Sequence, residues 1–324
     1  MWELVLIERI AARTPTRPGT ALGIGDDAAV LEIGGSAIVT HDMLVDGVHF
    51  RRTTTGLRDL GRKALAVNLS DLAAMGAVPV AVIVGLGLPP GALSPDEIDD
   101  IYAGMDDLAR AHGVTVAGGD ITTCPALVLA ITAVGRPVEG VPPTLRSGAR
   151  AGDVLCVTGV LGAAAAGLRL LDDPGLLPAL PERAALIDAH RRPEPRLAAG
   201  RVLAARGARA MMDISDGLAL DAGRMAAASG LRARIELSAL PLAEGVAAVA
   251  SAVGADPALM GATGGDDYEL LAAVPAEAFA GVRAGLDLPL TVVGVLGEGD
   301  PGVDLVDAAG GPVEPGRAGW QHEL

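Results

Sequence analysis

Apolar residues recur at helical spacing over 3–12, with Leu4, Ile7 and Ala11 on one side, before a turn-rich segment that runs to Gly19. Short apolar runs at 28–33 and 36–40 predict two strands joined at Gly34-Gly35. Good helix formers fill 57–76 up to a closing glycine, and 81–88 reads as a buried strand. Ser94-Pro95-Asp96-Glu97 opens another helix, with Ser94 as N-cap and Pro95 at the first helical position. Runs at 114–117 and 127–134 add two strands. Pro137, Gly140, Pro142 and Pro143 then interrupt any regular element, so the boundary falls there, with one domain at 1–137 and a second at 145–324. In the second half, strands at 153–158, 208–212, 233–237, 269–274 and 290–295 alternate with helices. Those helices fall at 162–171, 181–206 (broken at Pro193 and Pro195), up to Ser229, 245–253 and 276–284. This order predicts two α/β domains with mixed sheets.

Half of the 324 residues are hydrophobic but only 2% are aromatic, so the core must be built from Ala, Val, Leu and Ile. A formal net charge of −15 without a basic stripe disfavours nucleic acid and a membrane surface as partners. Apolar stretches break well before the roughly 18 residues a membrane span needs, and the N-terminus lacks a basic signal region, which predicts a cytoplasmic protein. Cys124 and Cys156 are the only cysteines, far apart and without metal-type spacing. Lys63 is the only lysine, so a phosphorylated ligand would draw most of its positive charge from divalent metal.

Acidic residues recur where apolar runs end: Asp42 after 38–40, Asp120 after 114–119, Asp213 and Asp216 after 210–212. Ligand crevices of α/β folds lie outside strand ends, and oxygen donors without a His or Cys cluster suit Mg²⁺. Any one of these aspartates is more often a turn or cap residue; their repetition carries the signal. Asp71 adds to it, because it shares a helix stripe with Ala64, Asn68 and Met75, where an unpaired carboxylate would be costly. Gly23-Ile24-Gly25-Asp26-Asp27-Ala28 has a dinucleotide-type spacing, but the Pro- and Gly-rich segment before it is no strand. The stretch 56–63 lacks the Ser or Thr of a phosphate loop, having Ala64 instead.

Taken in order, these segments resemble the thiamine-monophosphate kinase family: 23–27, 40–50, 63–76, Gly118-Gly119-Asp120, 144–148, 213–218 and 264–270. The resemblance covers nearly the whole chain. It implies the two-domain fold of the aminoimidazole-ribonucleotide-synthetase-like superfamily, a homodimer paired through N-terminal strands, and a Mg²⁺-dependent transfer of phosphate from ATP to thiamine monophosphate. It further implies metal ligands at Asp27, Thr40, Asp42, Asp71, Asp120, Asp213 and Asp216, with Asp42, Asp71 and Asp120 central to catalysis. His41 joins that set at a position where the family has Ser or Thr. ATP contacts fall on Gly119, Asp120, Arg146 and Ser215, and thiamine contacts on His49, Asp266 and Trp320. Asp266 stands where Glu is usual and is one methylene shorter.

Read as residues alone, His49 is equally an ordinary half-buried histidine, and Ser215 and Asp216 equally N-cap a helix. Trp320 could cap the core, though a lone indole also suits stacking on a planar cationic ring. A metal-dependent phosphatase, a non-catalytic nucleotide sensor and other ATP-using enzymes of the superfamily remain as alternatives.

Overall fold

The structure is a computed structural model that describes residues 2–22, 24 and 29–320. Its contacts divide the chain into two compact units, one of residues 1–72 and 77–137, the other of 73–76 and 138–324. The turn closing the long helix, read above with the first half, thus packs with the second.

In the first unit, α1 (Trp2–Arg13), β1 (Thr20–Leu22) and β2 (Val30–Leu31) precede β3 (Ile38–Val45), α2 (Leu57–Ala74), β4 (Val78–Leu88), α3 (Pro95–His112), β5 (Thr115–Thr123) and β6 (Val128–Arg136). Four strands form one sheet in the order β3-β6-β4-β5, antiparallel except for the β4/β5 pair. The expected hairpin across Gly34-Gly35 does not form, since β2 pairs with β1 and β3 with β6. Three residues at 20–22 are therefore strand, although proline and glycine surround them.

Every residue of β3 from Ile38 to Val45 has a β6 partner. Asp42 therefore lies inside a strand and not beyond its end, and Asp120 likewise lies within β5. Backbone pairing with a neighbour overrides the low strand propensity of His41-Asp42 and Gly118-Gly119-Asp120, which local pattern alone would place in loops.

Helix α2 is buried nearly all round, with Leu60, Leu65, Leu69 and Leu72 fully enclosed. Helix α3 begins with the expected capping box of Ser94 and Glu97, with Pro95 in its first turn, and ends at Gly113 with φ of 69°. Where the two helices cross, each contributes a glycine. A Cβ on Gly61 would lie 1.8 Å from the Ile101 carbonyl oxygen, and one on Gly104 1.8 Å from that of Arg58. Backbone cannot yield as a side-chain tip does, so Gly104→Ala is expected to destabilise the protein by at least about 2 kcal/mol. Urea unfolding checks this, and an unchanged midpoint would contradict the close crossing.

The second unit holds a six-stranded sheet in the order β12-β9-β11-β7-β10-β8. These strands are β7 (Val154–Thr158), β8 (Ala210–Asp213), β9 (Arg232–Glu236), β10 (Leu270–Val274), β11 (Leu290–Gly297) and β12 (Gly302–Val306). Only the β12/β9 pair is parallel. Helices α4 (Ala163–Asp172), α5 (Arg183–Arg191), α6 (Leu197–Ala205), α7 (Leu218–Ser229), α8 (Val246–Ala252), α9 (Pro257–Thr263) and α10 (Phe279–Arg283) complete it. The core is aliphatic, as composition requires, with Leu155, Val157, Met212, Leu218, Met225, Leu271 and Val293 packed together. Strand β12 and helix α9 lie in stretches that the pattern reading left unassigned. Among the described residues no single helix is long and apolar enough to cross a membrane.

Candidate active site

In the first unit, β3 and α2 bring three of the expected residues together. Strand alternation turns Ile38, Thr40, Asp42 and Leu44 to one face and Val39, His41 and Met43 to the other, which is the more exposed. Helix α2 packs on the first face. The Thr40 hydroxyl donates to the Asp71 carboxylate, and the Asp42 backbone N–H donates to Asn68 Oδ1 at 3.1 Å. Asn68 Nδ2 in turn donates to the Ala64 carbonyl at 3.0 Å, which fixes the amide. Since β3 is an edge strand, the N–H of Asp42 would otherwise lack a backbone partner, and Asn68 supplies one. The half-buried Asp71 therefore faces strand rather than solvent. Asn68, which the sequence marked only as part of the helix stripe, thus joins α2 to β3 beside these residues.

The other expected residues of this unit lie elsewhere. His41 is on the opposite face of β3, with Nδ1 2.9 Å from Thr132 Oγ1 on β6. Asp120 aligns with Gly85, which aligns with Ala130 and through it with Met43, so its register is on the same face as His41. Three strand spacings, about 14 Å, separate its backbone from that of Asp42. His49 is half-buried, and its Nδ1 accepts from the Val45 N–H at 3.1 Å, closing the turn after β3. Asp27 falls outside the described residues.

Among the described residues, no three His, Cys, Asp or Glu side chains are grouped to hold a metal ion by themselves. Magnesium, however, commonly takes one or two carboxylates and completes its shell with water and phosphate oxygens. The all-oxygen set of Thr40, Asp42 and Asp71 fits that requirement; it does not fit a closed protein cage or a zinc site.

In the second unit the loop 214–217, between β8 and α7, gathers most of the remaining residues. Asp213 ends β8 opposite Leu270 and is almost fully buried. The Ser215 carbonyl accepts from the Asp266 N–H at 2.8 Å, and the Asp216 carbonyl from the Trp320 N–H at 3.0 Å. Trp320 keeps 40% of its surface exposed at that anchor. Arg146 is exposed, next to Leu145, whose carbonyl accepts from the Met211 N–H at 2.9 Å at the start of β8.

Neither Ser215 nor Asp216 caps a helix. The N-cap of α7 is Gly217, with φ of 115° and no side-chain bond. Asp221 instead reaches back from the first turn to accept from the N–H groups of Ser215 and Asp216, each at 3.1 Å. Burial pushes its carboxyl up to about 6, against the opposing pull of Arg224 and the Asp216 N–H. Arg224 also donates to Asp216 Oδ2 at 2.6 Å and Asp221 Oδ1 at 2.7 Å.

Nearby, Asp267 accepts with both carboxylate oxygens from the Gly162 N–H at 3.0 Å, so it serves the start of α4, whose Gly162 N-cap has no side chain. Its residue keeps some surface, but enclosure of the carboxyl raises it well above the usual carboxylate range. Sequence reasoning did not single out Asp221, Arg224 or Asp267: Asp267 serves a helix start far off in sequence, which leaves no local pattern, and the roles of Asp221 and Arg224 appear only once the 214–217 loop is folded beside them.

The chain matches two family patterns. The AIR synthase related protein, N-terminal domain, covers residues 25–136, and the AIR synthase related protein, C-terminal domain, covers residues 150–306. A thiamine-monophosphate kinase of Mycobacterium tuberculosis (strain H37Rv) is 39% identical over 327 residues, covering 98% of this chain and 91% of that relative. Among solved structures, thiamine-monophosphate kinase from Stenotrophomonas maltophilia K279a superposes with a TM-score of 0.82 at 40% identity, covering 93% of this chain and 95% of that one. AaThiL complexed with AMPPCP and TMP gives a TM-score of 0.78 at 33% identity, covering 93% of this chain and 92% of that one.

Proposed function

The chain belongs to the thiamine-monophosphate kinases of the AIR synthase related family, and from that premise we propose how its residues carry out the reaction. The activity is the ATP-dependent phosphorylation of thiamine monophosphate to thiamine diphosphate. Support for the proposed site rests on one observation: on the same face of β3, Thr40 bonds Asp71 and the Asp42 backbone bonds Asn68 of the same helix.

In this reading Thr40, Asp42 and Asp71 hold magnesium, Asp27 is a further ligand, and Asp213 and Asp216 are separate magnesium ligands of the second unit. When bound, the metal supplies positive charge between two phosphate groups that repel each other. Asp120, on the other face and edge of its sheet, serves a separate ion. His41, facing away from Asp42, shares in ligation only through an ion on its own face. Gly119, Asp120, Arg146 and Ser215 contact ATP.

His49, Asp266 and Trp320 receive the thiamine moiety. The indole of Trp320 offers a face to the cationic thiazolium, and Asp266 accepts from the aminopyrimidine. No strong general base is needed, because the acceptor is a phosphate monoester that is largely ionised near neutral pH. The residues therefore act by holding donor and acceptor in line, which is most of what phosphoryl transfer with a loose transition state requires.

Val39, Met43 and Ile83 are 59%, 47% and 37% exposed on the sheet face away from α2. Such an apolar strip supports pairing of two N-terminal sheets in a homodimer.

ADP release measured with and without thiamine monophosphate tests the function. The expected result is magnesium-dependent ADP formation only when the monophosphate is present. Inorganic phosphate released from the monophosphate without ATP would indicate a phosphatase, and binding without turnover a sensor.

A further inference from the structure

We propose that His190 and Tyr268 are positioning residues for the Asp266 carboxylate, holding it in the orientation that receives the organic part of thiamine monophosphate. The proposal rests on the reading above that Asp266 contacts that substrate. The two oxygens of Asp266 have different neighbours. Tyr268 donates its phenolic hydroxyl to Oδ1 at 3.0 Å, and His190 Nδ1 stands 3.5 Å from Oδ2. The neighbours are enclosed and the carboxylate is not: the side chain of His190 is 7% exposed and that of Asp266 32%, while Tyr268 is buried. A buried hydroxyl donating to one oxygen, an enclosed imidazole standing against the other and an open outer edge hold a recognition carboxylate, since its rotamers are restricted while acceptor lone pairs remain available.

The backbone is shaped to the same end. Asp266 and Tyr268 have φ of 69° and 50°, left-handed values that Asp tolerates and a bulky Tyr rarely adopts. Both are held there by N–H donation to the preceding loop, Asp266 to Ser215 and Tyr268 to Ile214, each at 2.8 Å. This double reversal lets the Tyr268 ring fold back to a side chain only two positions earlier. Strain of this kind persists where surrounding contacts over-determine it, and it collects at ligand sites. Trp320 is anchored on the next residue of the same loop, Asp216, so Asp266 and the indole share one backbone support. His190 comes from the last turn of α5, far off in sequence, and no motif marks it.

Steady-state kinetics of His190→Ala, His190→Asn, Tyr268→Phe and Asp266→Asn test the proposal, with the thermal midpoint of each recorded. Asn at 190 can place an amide nitrogen near the position of Nδ1, and Asn at 266 is compatible with the left-handed backbone. Loss of the Tyr268 bond, or of the His190 ring that stands against the carboxylate, predicts that His190→Ala and Tyr268→Phe each raise KM for thiamine monophosphate about tenfold. The KM for ATP and kcat should stay within about twofold, and His190→Asn should recover most of the loss. In an Asp266→Asn background the His190→Ala change should add little, because both act through one group.

If Asp266→Asn raises this KM while His190→Ala and Tyr268→Phe do not, positioning is overturned and substrate contact by Asp266 stands. If Asp266→Asn leaves it unchanged, the contact itself is wrong and the proposal falls with it. Equal rises in both KM values would show general structural damage and also overturn it. Should His190→Ala fail to fold, Tyr268→Phe, which removes a single hydroxyl, decides alone.

Discussion

Asp71→Asn and Asp42→Asn are each expected to lower kcat by at least about a thousandfold while the protein remains folded, in line with the loss of a group that stabilises transferring charge. The substitution keeps shape and removes charge. At position 71 the Asn carbonyl still accepts from the Thr40 hydroxyl, and at position 42 the bond to Asn68 is made by backbone and survives. Packing is thus preserved, and the deficit belongs to the chemistry. Stability measured by thermal unfolding without metal should change by no more than about 1 kcal/mol, as for ordinary substitutions outside the core. Magnesium titration followed by the thermal midpoint should show weaker stabilisation in both variants. Activity within tenfold of the parent in either would sink the placement of the metal on β3 and α2.

The second large effect is structural. Glu269 is 2% exposed and accepts from Arg196 through Nε at 2.9 Å and Nη2 at 2.5 Å, as well as from the Thr158 hydroxyl at 2.6 Å. Thr158 Oγ1 also accepts from the Leu270 N–H at 2.8 Å, tying this network to β7 and β10. Gly159 makes room for it, since a Cβ there would come within 2.0 Å of Glu269 Oε1, at a φ of 58°. Glu269→Ala leaves the Thr158 hydroxyl without its acceptor and the 31% exposed Arg196 guanidinium without its carboxylate, a cost toward the lower end of the about 3–5 kcal/mol of a fully buried pair. A fall of about ten degrees in the thermal midpoint is expected, with Glu269→Gln between variant and parent because it keeps the Thr158 bond. A midpoint unchanged in Glu269→Ala would mean that Arg196 finds another acceptor at no cost.

Legibility of the sequence varied with the range of the forces involved. The capping box of α3, the long α2 and the aliphatic cores were readable because propensity, capping and burial act over a few residues. Strand ends around Asp42 and Asp120 were not, because a polar residue is held in a strand by its neighbour's backbone, and the neighbour lies some 90 positions away for Asp42. Asp71 was found by its place on an otherwise apolar stripe, whereas Asn68 on the same stripe became meaningful only once the free edge of β3 lay against it. His190 had no local signal, since what gives it a role is the reversal of backbone at Asp266 and Tyr268.

By itself the sequence determined the two-domain α/β organisation and the kinase family, and it nominated the acidic, histidine and tryptophan residues proposed to bear on the chemistry. The tertiary structure alone decided their grouping: Thr40, Asp42 and Asp71 on one sheet face, His41 and Asp120 on the other, and Ser215, Asp216, Asp266 and Trp320 around one loop. The physical reason is that side-chain direction in a strand reverses at every residue. A face is therefore assigned only when register with the neighbouring strand is set, and register is a property of long-range pairing that no local run of residues contains.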